Sequence, residues 1–384
     1  MKRKTRVLVV DDSSVVRRAI SDTLNRDPEI EVVGSACDPY VARDMILELN
    51  PDVITLDIEM PRMDGLTFLR ILQKHRPMPV LIISSLTQAG SQAAMDALEA
   101  GAVDVMAKPS SAYAIGDLGM QLAHRVKGAA VARLRAPAPS AELGARKSEV
   151  GTRNAELGTR SAAVSATRFN PRQIILMGAS TGGTEAIKAV LTQLPAGLPG
   201  IAIVQHIPAM FSKTFAERLN EICALEVREA AAGDELRPGL ALIAPGDYHM
   251  MLAWNGGRYR VVLNQAPPLH HTRPAVDILF ESAAASAGRY AVAGLLTGMG
   301  VDGAAGLQKL KAAGAATFAQ NEESCVVYGM PRAAVELGVV DHVLPLNQVA
   351  TAIIRGVKAR ADSSGEVRSS APALSAAAAG QSHN

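Results

Sequence analysis

The chain reads as an α/β protein of two units, each built on a mostly parallel sheet, and three observations carry that expectation. Residues 5–125 alternate five short, β-branched apolar runs with five amphipathic stretches of helix length. Strands buried on both faces give continuous apolar runs, and strand–helix alternation gives a parallel sheet covered by helices. That periodicity stops near residue 127, and a second α/β alternation resumes at residue 171. Finally, 384 residues exceed one ordinary core, which favours two domains.

In the first unit, 1–125, strands are expected at 5–10, 30–36, 53–56, 80–83 and 104–106, with helices near 13–26, 39–49, 66–75, 88–100 and 112–126. Residues 126–170 differ: they carry 8 Lys/Arg against 3 Asp/Glu, with Pro137 and Pro139. Within them, 142–162 is a threefold seven-residue repeat starting at Glu142, Glu149 and Glu156. Each repeat has one apolar position, where a coiled coil needs two, and a glycine that costs a helix about 1 kcal/mol relative to alanine. A flexible or weakly helical linker is expected: a solvated tether, or a docking segment that uses its charge. In the second unit, 171–360, strands fit 174–177, 201–204, 240–244 and 292–296, and 259–263 after Asn255-Gly-Gly257 reads as one arm of a β-hairpin. Helices fit 184–193, 211–223, 275–287, 303–313 and 346–358, and the Ser/Ala-rich tail 361–384 is expected to be disordered.

Composition excludes several classes. Apolar residues make up 48%, charged residues 20%, and the net charge is +2, so no global imbalance points to nucleic acid or membrane. The basic start is followed by only four apolar residues before Asp11 and Asp12, too few for a signal peptide, and no apolar run is long enough to span a membrane. The three cysteines, Cys37, Cys223 and Cys325, are scattered and odd in number, and the histidines lack ligand spacing. A cytoplasmic protein without disulfides or a structural metal is expected, acting as a monomer.

Asp11, Asp12 and Asp57 fall at the carboxyl ends of the first and third predicted strands, where ligands of open parallel sheets bind. Three carboxylates together repel, so a cation belongs there, and hard oxygen ligands suit Mg²⁺. Ser84 and Lys108 follow the fourth and fifth strands. A metal, an ammonium and a hydroxyl around a carboxylate suit transfer of a phosphoryl group to that carboxylate. Residues 5–125 resemble a two-component receiver domain of flavodoxin-like fold, through Val-Val-Asp11-Asp12-Ser, Leu-Asp57-Ile-Glu-Met-Pro-Arg-Met-Asp-Gly65-Leu, Ile-Ser84-Ser and Lys108-Pro109. The resemblance implies that Asp57 is the phosphoacceptor and that Asp11, Asp12, Asp57 and the Glu59 carbonyl hold the ion. Lys108 would pair with the phosphoryl group, and Ser84 would be the switch hydroxyl. Many receivers carry an aromatic residue three before the lysine; this chain has Val105 there, which puts an aromatic rotamer switch in doubt.

In the second unit, Ile174-Ile-Leu-Met-Gly-Ala-Ser180-Thr-Gly-Gly183 places Ser180 on a glycine-rich turn between a buried strand and a helix. Such a serine can be a nucleophile with an oxyanion site beside it. The same loop can cradle a phosphate, although no Gly-Lys-Ser/Thr follows, or it can be a plain turn. A base would come from His206, His249, His270, His271 or His342; His206 follows a predicted strand end, as Ser180 does. Asp302, after a Gly-Met-Gly turn, is the candidate carboxylate, with Asp277 as its competitor inside a predicted helix.

The chain order Ser…His…Asp is not that of α/β-hydrolases. Residues 172–360 instead resemble the catalytic domain of bacterial chemotaxis protein-glutamate methylesterases, through Met-Gly-Ala-Ser180-Thr-Gly-Gly-Thr-Glu-Ala, Val-Gln-His206-Ile-Pro, Ala-Pro-Gly-Asp-Tyr-His249-Met and Leu-Thr-Gly-Met-Gly-Val-Asp302-Gly. Ala275 stands where relatives commonly have serine. The resemblance implies a doubly wound esterase domain that uses Ser180, His206 and Asp302, with backbone N–H groups of Thr181 and Met299 as oxyanion donors and no cofactor. It implies demethylation of glutamate methyl esters on chemoreceptors, deamidation of receptor glutamines, and a chemotaxis histidine kinase as phosphodonor. A non-enzymatic phospho-switch whose second domain binds a nucleotide or protein is the alternative. A DNA-binding regulator is disfavoured, since 171–360 carry 16 Lys/Arg against 15 Asp/Glu and no basic helix-turn-helix.

Overall fold

The structure, a computed structural model, describes residues 3–108, 115–134 and 169–362. The repeat at 142–162, Pro109 and the tail beyond 362 lie outside the described residues. The first unit runs β1 (Thr5–Val10), α1 (Ser14–Leu24), β2 (Ile30–Ala36), α2 (Pro39–Leu49), β3 (Val53–Asp57), α3 (Gly65–His75), β4 (Val80–Ser84), α4 (Gln88–Glu99), β5 (Asp104–Ala107) and α5 (Ile115–Ala130). Its sheet is parallel in the order β2-β1-β3-β4-β5. The order reverses between β1 and β3, so the crevice beyond their carboxyl ends receives Asp11 and Asp57. The helices start where short polar side chains cap them: Ser13 accepts from Val16 N, Asp38 from Tyr40 N and Val41 N, Asp64 from Thr67 N, and Thr87 from Gly90 N.

The second unit begins with β6 (Ile174–Ala179), α6 (Gly183–Leu191), β7 (Gly200–Gln205), α7 (Phe211–Ile222), β8 (Glu226–Glu229), β9 (Glu235–Leu236), β10 (Leu240–Ile243), β11 (His249–Asn255) and β12 (Arg258–Asn264). It continues with α8 (Val276–Ser286), β13 (Ala291–Leu295), α9 (Ala304–Ala312), β14 (Ala316–Gln320), α10 (Met330–Glu336), β15 (His342–Leu344) and α11 (Leu346–Asp362). Seven strands form a parallel sheet, β15-β14-β13-β6-β7-β10-β8, and the antiparallel β11-β12-β9 is a separate small sheet holding the expected hairpin. The central strands β6, β7 and β13 are buried at every position, which is why they read as unbroken apolar runs. Here the strand order reverses between β13 and β6, and the loops leaving β6, β7 and β13 carry residues 180, 206 and 302 to one rim. Gly182 and Gly303, at φ of 74° and 86°, make the left-handed turns that enter α6 and α9.

Candidate active site and phosphoacceptor site

In the first unit the carboxylates of Asp11, Asp12 and Asp57 offer oxygens within 4.8 Å of one another. Lys108 Nζ lies 2.7 Å from Asp57 Oδ2 and 3.3 Å from Asp11 Oδ2. Burial pushes Asp57 up to about 6, with the Asp11 charge adding and the Lys108 hydrogen bond opposing. Burial likewise raises Asp11 against the pull of Lys108. Asp11 Oδ2 is buried, and its polar neighbour among the described residues is the Lys108 ammonium at 3.3 Å, without a hydrogen bond of good geometry. A buried carboxylate oxygen this weakly satisfied, among three crowded acids, fits a divalent cation with oxygen ligands. Glu59 N donates to Asp57 Oδ1 at 3.2 Å, which places its backbone at the same edge, while its side chain accepts from Ser85 Oγ. Ser84 is fully buried, and its hydroxyl donates to Gly90 O at 3.2 Å rather than to Asp57.

In the second unit, Ser180 N donates to Thr297 O at 3.0 Å, tying the turn after β6 to the loop after β13. Gly298 presses on that turn: a Cβ there would stand 2.8 Å from Ser180 Cβ. His206 N donates to Ala179 O, and His206 Nε2 lies 2.7 Å from Asp302 Oδ2. Among the described residues no hydrogen bond joins Ser180 Oγ to His206, but Nδ1 is the ring nitrogen that Asp302 leaves free. Neither Thr181 N nor Met299 N donates to a protein acceptor among the described residues. Two N–H groups flanking a serine in this way can receive an oxyanion.

Asp302 is 2% exposed, yet its carboxyl lies below the ordinary range. Burial opposes the charge. The His206 hydrogen bond and charge outweigh it, helped by N–H donors of Asp277 (2.9 Å) and Val276 (2.7 Å) at the start of α8. Asp277, the competing carboxylate, does a different job: its Oδ1 accepts from Gly306 N in the first turn of α9, and its Oδ2 meets His270 Nε2 at 3.1 Å. The two acids thus cap each other's helices. His270, Asp277 and Asp302 cluster closely enough for a metal, but these donors already occupy the carboxylates. His249 is also structural, with Nδ1 accepting from Ala275 N and Nε2 facing Pro267 O.

The first unit lies across this rim. Thr181 Oγ1 donates to Asp104 Oδ2 at 3.0 Å, Arg125 Nη1 holds Asp104 Oδ1 at 2.8 Å, and Arg125 Nη2 donates to His206 O at 3.1 Å. On α5, a Cβ at Gly128 would stand 2.9 Å from Met299 Sδ, so any larger residue there would have to push the Met299 side chain aside. Arg218 pairs with Asp96, and Lys188 lies 3.0 Å from Glu99, which extends the seam along α4, α6 and α7. Ser180 and His206 are left 6% and 5% exposed. None of these contacts across the seam was legible in the sequence, because a charge on an amphipathic helix such as Arg125 carries no mark of its partner.

Residues 175–353 match the family model of the CheB methylesterase, and residues 7–117 match that of the response regulator receiver domain. The protein-glutamate methylesterase/protein-glutamine glutaminase 2 of Syntrophus aciditrophicus is 51% identical over 92% of this chain and 99% of its own length. The chain belongs to the CheB methylesterase family. A second relative in the family, the protein-glutamate methylesterase/protein-glutamine glutaminase 2 of Pseudomonas aeruginosa, is 50% identical over 91% of this chain and 96% of its length. The crystal structure of the Thermotoga maritima CheB methylesterase catalytic domain is 38% identical and covers 48% of this chain and 97% of that one, with a TM-score of 0.47.

Proposed function

We propose that the chain is a phosphorylation-activated serine hydrolase that demethylates glutamate methyl esters on chemoreceptors, releasing methanol, and deamidates receptor glutamines to glutamate. The His206–Asp302 pair at 2.7 Å, on the rim that holds the Ser180 turn, is the observation that carries the chemistry. Ser180 Oγ attacks the ester carbonyl carbon while His206 Nδ1 takes the hydroxyl proton. Asp302 holds the ring and stabilises the imidazolium that forms. Thr181 N–H and Met299 N–H bind the oxyanion. The tetrahedral intermediate then expels the methoxy group, which takes the proton from His206 and leaves as methanol. Water, deprotonated by the same imidazole, cleaves the acyl-enzyme and restores Ser180 and a glutamate. With glutamine as substrate, ammonia leaves instead.

Regulation follows from the seam. Asp57 accepts the phosphoryl group from a histidine kinase and Lys108 pairs with the phosphoryl oxygens; Asp11, Asp12, Asp57 and the Glu59 carbonyl would hold Mg²⁺. The ion supplies charge neutralisation at that carboxylate. Phosphorylation loosens the contacts of Asp104, Arg125 and Gly128 with the esterase rim and uncovers Ser180. Among the described residues no helix is long and apolar enough to cross a membrane. Methanol release from methylated receptor tests this reading. The full chain should be slow alone and fast with Mg²⁺ and acetyl phosphate, and Ser180→Ala should be inactive in both. Substantial methanol release by Ser180→Ala would end the assignment.

A further inference from the structure

Gln205 is the last residue of β7 and pairs with Ala179, the last residue of β6. Beyond this pair the ladder has one more bond, His206 N to Ala179 O at 3.1 Å. The strands then part, Ser180 turning toward α6 and His206 toward α7, which takes the carbonyls of both residues out of the ladder. The Gln205 carboxamide reaches back to them: Nε2 donates to Ser180 O at 2.9 Å and to His206 O at 3.3 Å. The residue is 1% exposed, and its Oε1 is buried with no hydrogen-bond partner. Gly183 makes room for this oxygen, since a Cβ there would stand 2.1 Å from it. An unpaired buried acceptor is costly, so stability alone is a poor reason for a carboxamide here. Its use lies in the two N–H groups.

We propose that Gln205 is a positioning residue for the hydrolysis. Its NH₂ group clamps the backbone of the nucleophile turn to the backbone of the base turn, so that Ser180 Oγ and the His206 ring keep one separation. The inference rests on the Ser180–His206–Asp302 reading and deepens it. In the closed seam His206 O has a second side-chain donor, Arg125 Nη2. When α5 withdraws, Gln205 is the side chain that remains on that carbonyl, so the clamp matters most in the activated enzyme.

The test uses the full chain with Mg²⁺ and acetyl phosphate, comparing Gln205→Met, which keeps the length and loses both N–H groups, with Gln205→Glu. The readouts are kcat and KM for methanol release, the rate of Ser180 labelling by a fluorophosphonate, and the melting temperature. Gln205→Met should lose about 10²-fold in kcat and labelling with KM nearly unchanged, the range in which misplacing reacting groups is felt. Gln205→Glu should be as slow in alkaline buffer and recover relative to Gln205→Met as the pH falls, because a protonated carboxyl regains one O–H donor. A merely structural residue predicts losses that track the unfolded fraction and a Glu-to-Met activity ratio that does not change with pH; either result overturns the clamp. Ser180→Ala run in parallel keeps the two readings apart. Turnover by Ser180→Ala would sink the triad, whereas an inactive Ser180→Ala beside a fully active Gln205→Met would sink the clamp alone.

Discussion

Replacing Arg125 with alanine should switch the esterase on without phosphorylation. In the closed seam the Arg125 and Asp104 side chains are 11% and 6% exposed, and the arginine also donates to His206 O. Removing it leaves the Asp104 carboxylate buried, with the Thr181 hydroxyl and the Val105 N–H as its remaining donors. In the open state the same carboxylate faces water and the loss is small. Stranding one partner of a buried pair costs about 3 kcal/mol or more, and at 1.4 kcal/mol per decade this shifts the closed-to-open ratio by about 10²-fold. The assay is methanol release by the full chain without phosphodonor, set against the same variant with Mg²⁺ and acetyl phosphate. Basal activity should rise toward the activated level, and the stimulation ratio should fall toward one. An unchanged basal rate with an unchanged activated rate would refute the seam as the element that holds the enzyme off.

Asp57→Asn should keep the basal rate and lose stimulation by acetyl phosphate, as measured by methanol release with and without Mg²⁺. Asp302→Asn should fold and bind substrate with nearly the same KM but lose about 10⁴-fold in kcat, because the amide no longer selects the His206 tautomer. The same variant has a pH signature in stability. The folded pKa of Asp302 lies below its ordinary 3.8, so its contribution is complete above that value and lost as pH falls through the lower folded value. The gap in melting temperature between wild type and Asp302→Asn should therefore be full at neutral pH and close only in strong acid.

Much of the fold was open to a reading of residues, for a physical reason. β3, β4, β6, β7, β13 and the last four residues of β1 are buried on both faces, so they read as nearly continuous apolar runs with sharply marked carboxyl ends. Several strands that escaped are of other kinds. β8, Glu-Val-Arg-Glu, is an edge strand with one buried residue, and β15 is a three-residue edge with none. β14, Ala-Thr-Phe-Ala-Gln, is largely buried but too short and mixed to stand out beside the alanine-rich α9. The helix α10 has seven residues and a proline in its first turn, too few for a period to show.

At the site, placing residues 180, 206 and 302 beyond strand ends needed only the alternation of elements. Distinguishing Asp302 from Asp277 by bond partners needed coordinates, because both acids sit among helix starts and only the hydrogen bonds separate their jobs. Gln205 stood within a quoted motif without an assigned part; its two carbonyl partners are fixed by where β6 and β7 diverge, which sequence does not show.

The most direct measurement is to treat the full chain with a fluorophosphonate, with and without Mg²⁺ and acetyl phosphate, and to locate the adduct by peptide mass spectrometry. A single adduct on Ser180 that forms faster with the phosphodonor, in step with methanol release, is the expected result. An adduct on another residue, or methanol release undiminished while Ser180 stays unlabelled, would contradict a receiver-gated serine at this rim.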